Sequence, residues 1–176
     1  MKITPNILLT SDTHFGHSKL WETWKEREEG FEDLIVEAWN SVANKHDVVL
    51  HLGDLTFVGK PKTKEWTDKL QGRKYLIRGN HDSANDGWYR DCGFEVLPNL
   101  YQRFGQKDGS YMHVLFTHEP ILNLPEGWYN IHGHLHGNNH RNIETTSHHF
   151  DVGVDACGLM PVRLFSVLDI LKNEIK

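Results

Sequence analysis

Five short apolar runs in this chain each end on Asp, His or Asn, and helical patterns lie between the first three. Asn6 to Thr10 reads as a buried strand running into Ser11-Asp12-Thr13-His14, and Asp47 to Leu52 as a strand ending at Gly53-Asp54. Lys74 to Ile77 runs into Arg78-Gly79-Asn80-His81-Asp82. Tyr111 to Thr117 leads into His118-Glu119, and Tyr129 to His132 into Gly133-His134-Leu135-His136. Between the first two runs, Phe31, Leu34, Ile35, Ala38 and Trp39 follow the spacing of one helix face. Thr63 to Leu70 reads as a second helix, stopped at Gly72. A β-α-β-α-β order implies a parallel sheet with right-handed crossovers. In such sheets the C-terminal ends of the strands converge on one crevice, where ligands bind. Five strand ends therefore bring Asp, His and Asn side chains to one hollow.

From about Phe94 the texture changes to strands with short or glycine-containing connections: Glu95 to Phe104, Tyr111 to Thr117, Tyr129 to His132 and Phe150 to Val154. A helix from about Ser166 to Ile175 closes the chain. With no repeat, linker or low-complexity stretch, the expectation is one α/β domain over residues 1–176 with two packed sheets. Hydrophobic residues at 38% and charged residues at 24% exclude a disordered or collagen-like chain. No apolar run approaches membrane-helix length, and the stretch before Ser11 is too short for a signal peptide. Two cysteines, Cys92 and Cys157, suit a reduced, cytoplasmic setting. The formal charge of −5 argues against broad binding to nucleic acid, and nothing implies a membrane or an obligate protein partner. Thirteen histidines in 176 residues are the remaining oddity, and their positions give them meaning.

On an extended backbone residues i and i+2 share a face, so Asp12 with His14, and His134 with His136, are expected to point into the cavity together. Each piece alone is a common accident. The ordered series Asp12-x-His14, Gly53-Asp54, Gly79-Asn80-His81-Asp82, His118, Gly133-His134-x-His136 resembles the calcineurin-like metallophosphoesterase superfamily, from about Ile7 to Gly137. The resemblance implies a four-layer αββα sandwich, two mixed β-sheets flanked by helices. It implies one metal on Asp12, His14, Asp54 and His136, and a second on Asp54, Asn80, His118 and His134, with Asp54 bridging. His81 resembles the histidine that protonates the leaving group, Asp82 the acid that orients it, and Arg78 an arginine that contacts phosphate.

Elementary chemistry agrees. Two divalent ions held by only two carboxylates leave a local charge of about +2, which attracts phosphate despite the acidic whole. Ions about 3.5–4 Å apart can share a bridging hydroxide and clamp the entering and leaving oxygens. Histidine, whose ordinary pKa lies near neutrality, suits protonation of the leaving alkoxide. Four histidine ligands argue against a pure Mg²⁺ or Ca²⁺ site and for two divalent transition metals, with Mn²⁺, Fe, Zn²⁺, Co²⁺ and Ni²⁺ all fitting; Mn²⁺ is the expected choice. The expected activity is hydrolysis of a phosphomonoester or phosphodiester on a small nucleotide-like substrate. A non-catalytic interaction module on the same fold, or a nuclease, are the alternatives.

The other polar and aromatic residues read more plainly. His51 and His132 are strand-face histidines that alternatively support the site, and His17 follows the first motif closely. His46, His113, His140, His148 and His149 read as surface residues, and Asp155, after a strand, as a turn former that alternatively supports the site. Trp24 and Trp39 sit in helical patterns, while Trp88 and Trp128 fall in glycine-containing loops where one of them could stack on a base. Glu22 to Glu29, with Lys25 and Arg27 inside it, reads as a solvated helix face or an insertion.

Overall fold

In the first strand, side chains alternate between two cores: Leu8 enters one while Ile7 and Leu9 enter the other. Val49 and Leu50 divide likewise, as do Leu76 and Ile77, so both faces of this sheet are covered. The computed structural model describes residues 1–20, 27–137 and 143–173. Its elements run β1 (Leu8–Thr10), α1 (Phe31–Val42), β2 (Val48–His51), α2 (Lys60–Thr67), β3 (Arg73–Ile77), α3 (Asp86–Asp91) and β4 (Phe94–Leu97). Then come β5 (Leu100–Gly105), β6 (Tyr111–Phe116), β7 (Trp128–His132), β8 (His149–Asp151), β9 (Val162–Arg163) and α4 (Leu164–Asn173).

Among the described residues one sheet has the order β4-β3-β2-β1-β9, parallel except for β9, and the other the order β5-β6-β7-β8. In the second sheet β5 is antiparallel to β6, and β6, β7 and β8 run parallel. Phe31, Ile35, Val36 and Trp39 of α1 and Trp66 of α2 pack on the outer face of the first sheet. Between the sheets lie Leu9, Leu50, Ile77, Val114, Phe116 and Ile131, closed off by Leu164, Val167, Leu168 and Leu171 of α4. This is the expected α/β arrangement of two mixed sheets flanked by helices. No helix of the described residues is long and apolar enough to cross a membrane.

The structure corrects several expectations. The single strand Glu95 to Phe104 is two strands in different sheets, because Pro98, lacking an N–H, and Asn99 interrupt the ladder where the chain crosses. Trp88 lies on α3, partly buried against the helix-side core, rather than in a loop. Trp128 opens β7 and stacks with Tyr101 and His113 at 5.3 and 5.2 Å on the second sheet. That places it at the opposite end of β7 from His134 and His136. Leu34 is 47% exposed, and Val36 takes its place on the buried stripe of α1. Trp39 is fully buried and donates its indole N–H to the Gln71 carbonyl at 2.9 Å. Glu22, Trp24, Lys25, His140 and residues 174–176, into which the closing helix was expected to run, lie outside the described residues.

Candidate metal centre

The parallel strands deliver their C-terminal ends to one edge, where the loops lock onto one another. The Asp12 N–H donates to the Gly53 carbonyl at 2.9 Å and the His14 N–H to the Asp54 carbonyl at 3.1 Å. From the second sheet, the Gly133 N–H bonds the His118 carbonyl at 3.0 Å, and the His134 N–H donates to Asp12 Oδ2 at 2.9 Å. Gly53 sits at φ +107°, and a β-carbon there would lie 2.5 Å from the Gly79 nitrogen and 2.6 Å from His118 Nδ1. Only glycine lets these loops approach so closely.

Asp12, His14, Asp54, His134 and His136 all have left-handed backbones, with φ of 59°, 48°, 59°, 72° and 55°. Asp12 and His14 therefore meet through two successive kinks, where an extended strand was expected. His134 and His136 contribute one to each of two adjoining clusters, the division that the resemblance implies. Asp12, His14 and His136 bring one donor atom each within 4.8 Å of one another, and so do Asp54, His118 and His134. All six are buried.

Both clusters suit cations. His14 Nε2 faces His136 Nε2 at 3.2 Å, and His134 Nδ1 faces His118 Nε2 at 3.1 Å, pairings of ring nitrogens that need a proton or a cation between them. Asp12 Oδ1 is buried with no hydrogen-bond donor among the described residues and lies 3.7 Å from both His14 Nε2 and His136 Nε2. Burial pushes the Asp12 carboxyl up to about 6, against the pull of His136 and His118. Burial, then His136 and Arg27, hold His14 well below the ordinary histidine value. Burial opposes the charge on His118 too, but Asp54 and Asp12 outweigh it and raise the ring to about 9. Burial would likewise raise Asp54, yet His118 brings it below the usual carboxylate value.

The remaining sequence-predicted residues fall around this pair. Asn80 Oδ1 is 3.0 Å from His118 Nε2, on the second cluster. The His81 N–H donates to Asp54 Oδ1 at 2.9 Å, while its ring, 41% exposed, sets Nε2 3.9 Å from Asp54 Oδ2. The Asp82 carboxylate is engaged with loop backbone rather than with the His81 ring. It accepts from the N–H groups of Asp54 (2.7 Å), Gly79 (2.8 Å) and Leu55 (3.1 Å). Arg78 pairs with Asp86 and lies over the Tyr89 ring, on the wall of a 410 Å³ crevice that Asn80, Asn99, Thr117, His118 and Glu119 also line.

Five residues near the centre have roles that the sequence left open, misplaced or did not mark. Arg27, placed on a solvated face, is buried and bonds Asp155 and the carbonyls of Asp12 and Thr13. Asp155, read as a turn former, holds His136 Nδ1 at 2.6 Å. Phe57 is 39% exposed, with its ring 4.1 Å from that of His17, 4.7 Å from His81 and 5.1 Å from His14. His51 is buried and spans Gly53 and Thr13. His132 holds the Gly133 carbonyl at 2.8 Å.

A metal-ready pair of Asp/His clusters at the strand ends of two mixed sheets defines a class of protein, and the family comparison agrees. Residues 5–167 match the model of the calcineurin-like phosphoesterases, and the chain belongs to that family. It is 30% identical over 179 residues to the gene 66 protein of Mycobacterium phage D29, covering 86% of this chain and 88% of that one. An uncharacterized protein of Methanocaldococcus jannaschii is 29% identical over 180 residues, covering 95% and 92% of the two chains. A crystal structure of a protein of unknown function from Aquifex aeolicus shares the fold, with a TM-score of 0.69 at 24% identity over 93% of this chain and 98% of that one.

Proposed function

We propose that the chain acts as a single-domain, dinuclear-metal phosphoesterase hydrolysing a phosphomonoester or phosphodiester of a small nucleotide-like substrate. The observation that carries this reading is the position of Asp54 Oδ2, 3.8 Å from His14 Nε2 and 3.4 Å from His118 Nε2. One carboxylate oxygen borders both clusters, as a bridging ligand must. Asp12, His14, Asp54 and His136 would hold one ion, and Asp54, Asn80, His118 and His134 the other. The histidine-rich donor set suits transition metals, Fe, Zn²⁺, Ni²⁺ and Co²⁺ as well as Mn²⁺, and Mn²⁺ is the ion we propose to test first. When bound, such a pair supplies an activated water and neutralises charge on the phosphoryl group.

The protein's own side chains do the rest. His81, anchored through its N–H to Asp54, projects an exposed ring from the same strand-end loop that carries Asn80, and protonates the departing oxygen. Asp82 serves that step indirectly, by fixing the Asp54 and Gly79 loops from which His81 projects. Arg78 lines the crevice and offers positive charge to a bound phosphate. Phe57, half exposed against His17 and His81, gives a flat group on the substrate a surface to lie on. The crevice is of a size to take a nucleotide-scale ligand but not a folded polymer.

The test is a hydrolysis screen of metal-stripped protein reloaded with Mn²⁺, Ni²⁺, Zn²⁺ or Mg²⁺. Its panel holds p-nitrophenyl phosphate, the bis-ester, and 2′,3′- and 3′,5′-cyclic nucleotides. Metal-dependent turnover that vanishes, together with metal binding, in Asp54→Ala is the expected result. Two bound ions without turnover on any substrate would overturn the reading in favour of a non-catalytic module.

A further inference from the structure

Of everything around the centre, Arg27 has the most unusual surroundings. Its side chain is 0% exposed, although it comes from a stretch of alternating charges. Its fork grips Asp155 with Nε on Oδ1 at 2.7 Å and Nη2 on Oδ2 at 2.6 Å. The remaining donors go to the Asp12 carbonyl, from Nη2 at 2.6 Å, and to the Thr13 carbonyl, from Nη1 at 2.9 Å. Asp155 Oδ2 in turn accepts the His136 Nδ1–H at 2.6 Å. One guanidinium therefore reaches all three members of one cluster. It holds Asp12 by its own carbonyl, His14 by the carbonyl of the peptide that precedes it, and His136 through Asp155.

The other cluster is held differently. The hydrogen bond from His118 Nδ1 ends on the neutral Leu52 carbonyl at 2.8 Å, and Asn80, the further donor proposed there, is exposed. A carboxylate on the far nitrogen of a ligating histidine fixes the tautomer, leaving Nε2 free to ligate, and restrains the ring more firmly than a carbonyl does. A bidentate Arg–carboxylate pair stops that carboxylate from turning.

We propose that Arg27 and Asp155 are positioning residues for one ion only, and that they make the Asp12–His14–His136 site the tightly held one and the Asp54–His118–His134 site the exchangeable one. The inference rests on the dinuclear reading above.

The test is calorimetric titration of metal-stripped, full-length protein with Mn²⁺. Crystals grown at one equivalent of Mn²⁺, with anomalous scattering, locate the first ion. Wild type is expected to show two affinities, with the first ion on Asp12, His14 and His136. Asp155→Asn, which keeps the shape but breaks the clamp, should weaken the tight site about 10- to 100-fold and leave the weak site within about twofold. Asn80→Ala should do the reverse. Arg27→Lys keeps the buried charge without the fork and gives the same one-sided loss if Asp155→Asn does not fold, with near-UV circular dichroism reporting the fold. Equal weakening of both sites, no weakening of either, or a first ion on Asp54, His118 and His134 would overturn the proposal while leaving a dinuclear centre intact. Wild type that binds fewer than two Mn²⁺ would overturn both readings.

Discussion

His51 is a place where acid should loosen this fold, and the hydrogen bonds around it show why. The Gly53 N–H can only donate, and it points at His51 Nδ1 at 3.1 Å, so that nitrogen must be the bare acceptor. The proton then sits on Nε2, which donates to Thr13 Oγ1 at 3.1 Å, and Thr13 Oγ1 passes its own hydrogen to the Leu55 carbonyl at 2.9 Å. A second proton on the ring would face the Gly53 N–H with nothing to accept it. Burial, reinforced by nearby His118 and only partly opposed by Asp54, accordingly pushes His51 down to about 3 from an ordinary 6.5. Between those values the unfolded chain binds the proton and the folded chain does not. The stability this ring contributes is therefore complete above about pH 7 and falls as pH drops through 6.5, by ~1.4 kcal/mol per unit until pH nears 3. At pH 5 the loss from this one ring is about 2 kcal/mol. In His51→Asn the amide oxygen takes over acceptance from Gly53 and does not titrate. The variant should lose about 1–3 kcal/mol at pH 8 through the smaller, less satisfied side chain. It should then lose about 2 kcal/mol less than wild type on going to pH 5. Urea unfolding of metal-stripped protein at pH 8, 7, 6 and 5, followed by circular dichroism, reads both quantities, and the ligand histidines cancel in the difference. Parallel wild-type and variant stability curves across that range would refute the reasoning.

Other perturbations bear on the centre more directly. His81→Ala should keep its metals while kcat falls about 10²- to 10⁴-fold for alkyl leaving groups and far less for p-nitrophenolate, because only the former needs the proton. Equal losses on both substrates would remove His81 as the acid. Phe57→Ala should raise KM for cyclic nucleotides several-fold with little change in kcat, whereas Trp88→Ala and Trp128→Ala should leave KM unchanged, since neither ring faces the strand-end crevice. In Gly133→Ala the new β-carbon would stand 2.0 Å from Ser11 Oγ and 2.4 Å from Asp12 Oδ2. That overlap should cost about 1–3 kcal/mol in a denaturant melt and displace Asp12, lowering Mn²⁺ affinity. A melt matching wild type would show that the two loops are not packed as described.

The sequence revealed the centre well where the signal was local. Asp12, Asp54, His118, His134 and His136 each follow an apolar run, and the parallel topology turns that position into a shared edge. Spacing alone gave the partnership of Asp12 with His14 but not its cause, because a left-handed residue leaves no mark on hydropathy. Arg27 was invisible for a different reason. The stretch from Glu22 to Glu29 is largely charged, and a local reading assigns it to water, whereas the partner of Arg27, Asp155, lies 128 residues away. Asp155 did carry a signal, since it follows Val152-Gly153-Val154 as the ligands follow their runs, and that position offers support of the site beside a plain turn. Pro98 likewise announced the break between β4 and β5.

The left-handed ligands explain how the site can exist before any cation arrives. Each such residue costs about 1 kcal/mol or more relative to an ordinary backbone, so five of them would not persist in isolated loops. They persist here because each loop is tied to another. Asp12 reaches Gly53, His14 reaches Asp54, and Asp82 collects the N–H groups of Asp54, Leu55 and Gly79. Ties that run between backbone and buried carboxylates do not depend on a metal, so the donors are set by the fold. What the fold gathers is donor atoms: a buried Asp12 oxygen with no hydrogen-bond donor among the described residues, and ring nitrogens facing one another at about 3 Å. Both suit cations, and a phosphate entering the crevice would then meet positive charge that the acidic surface gives no sign of.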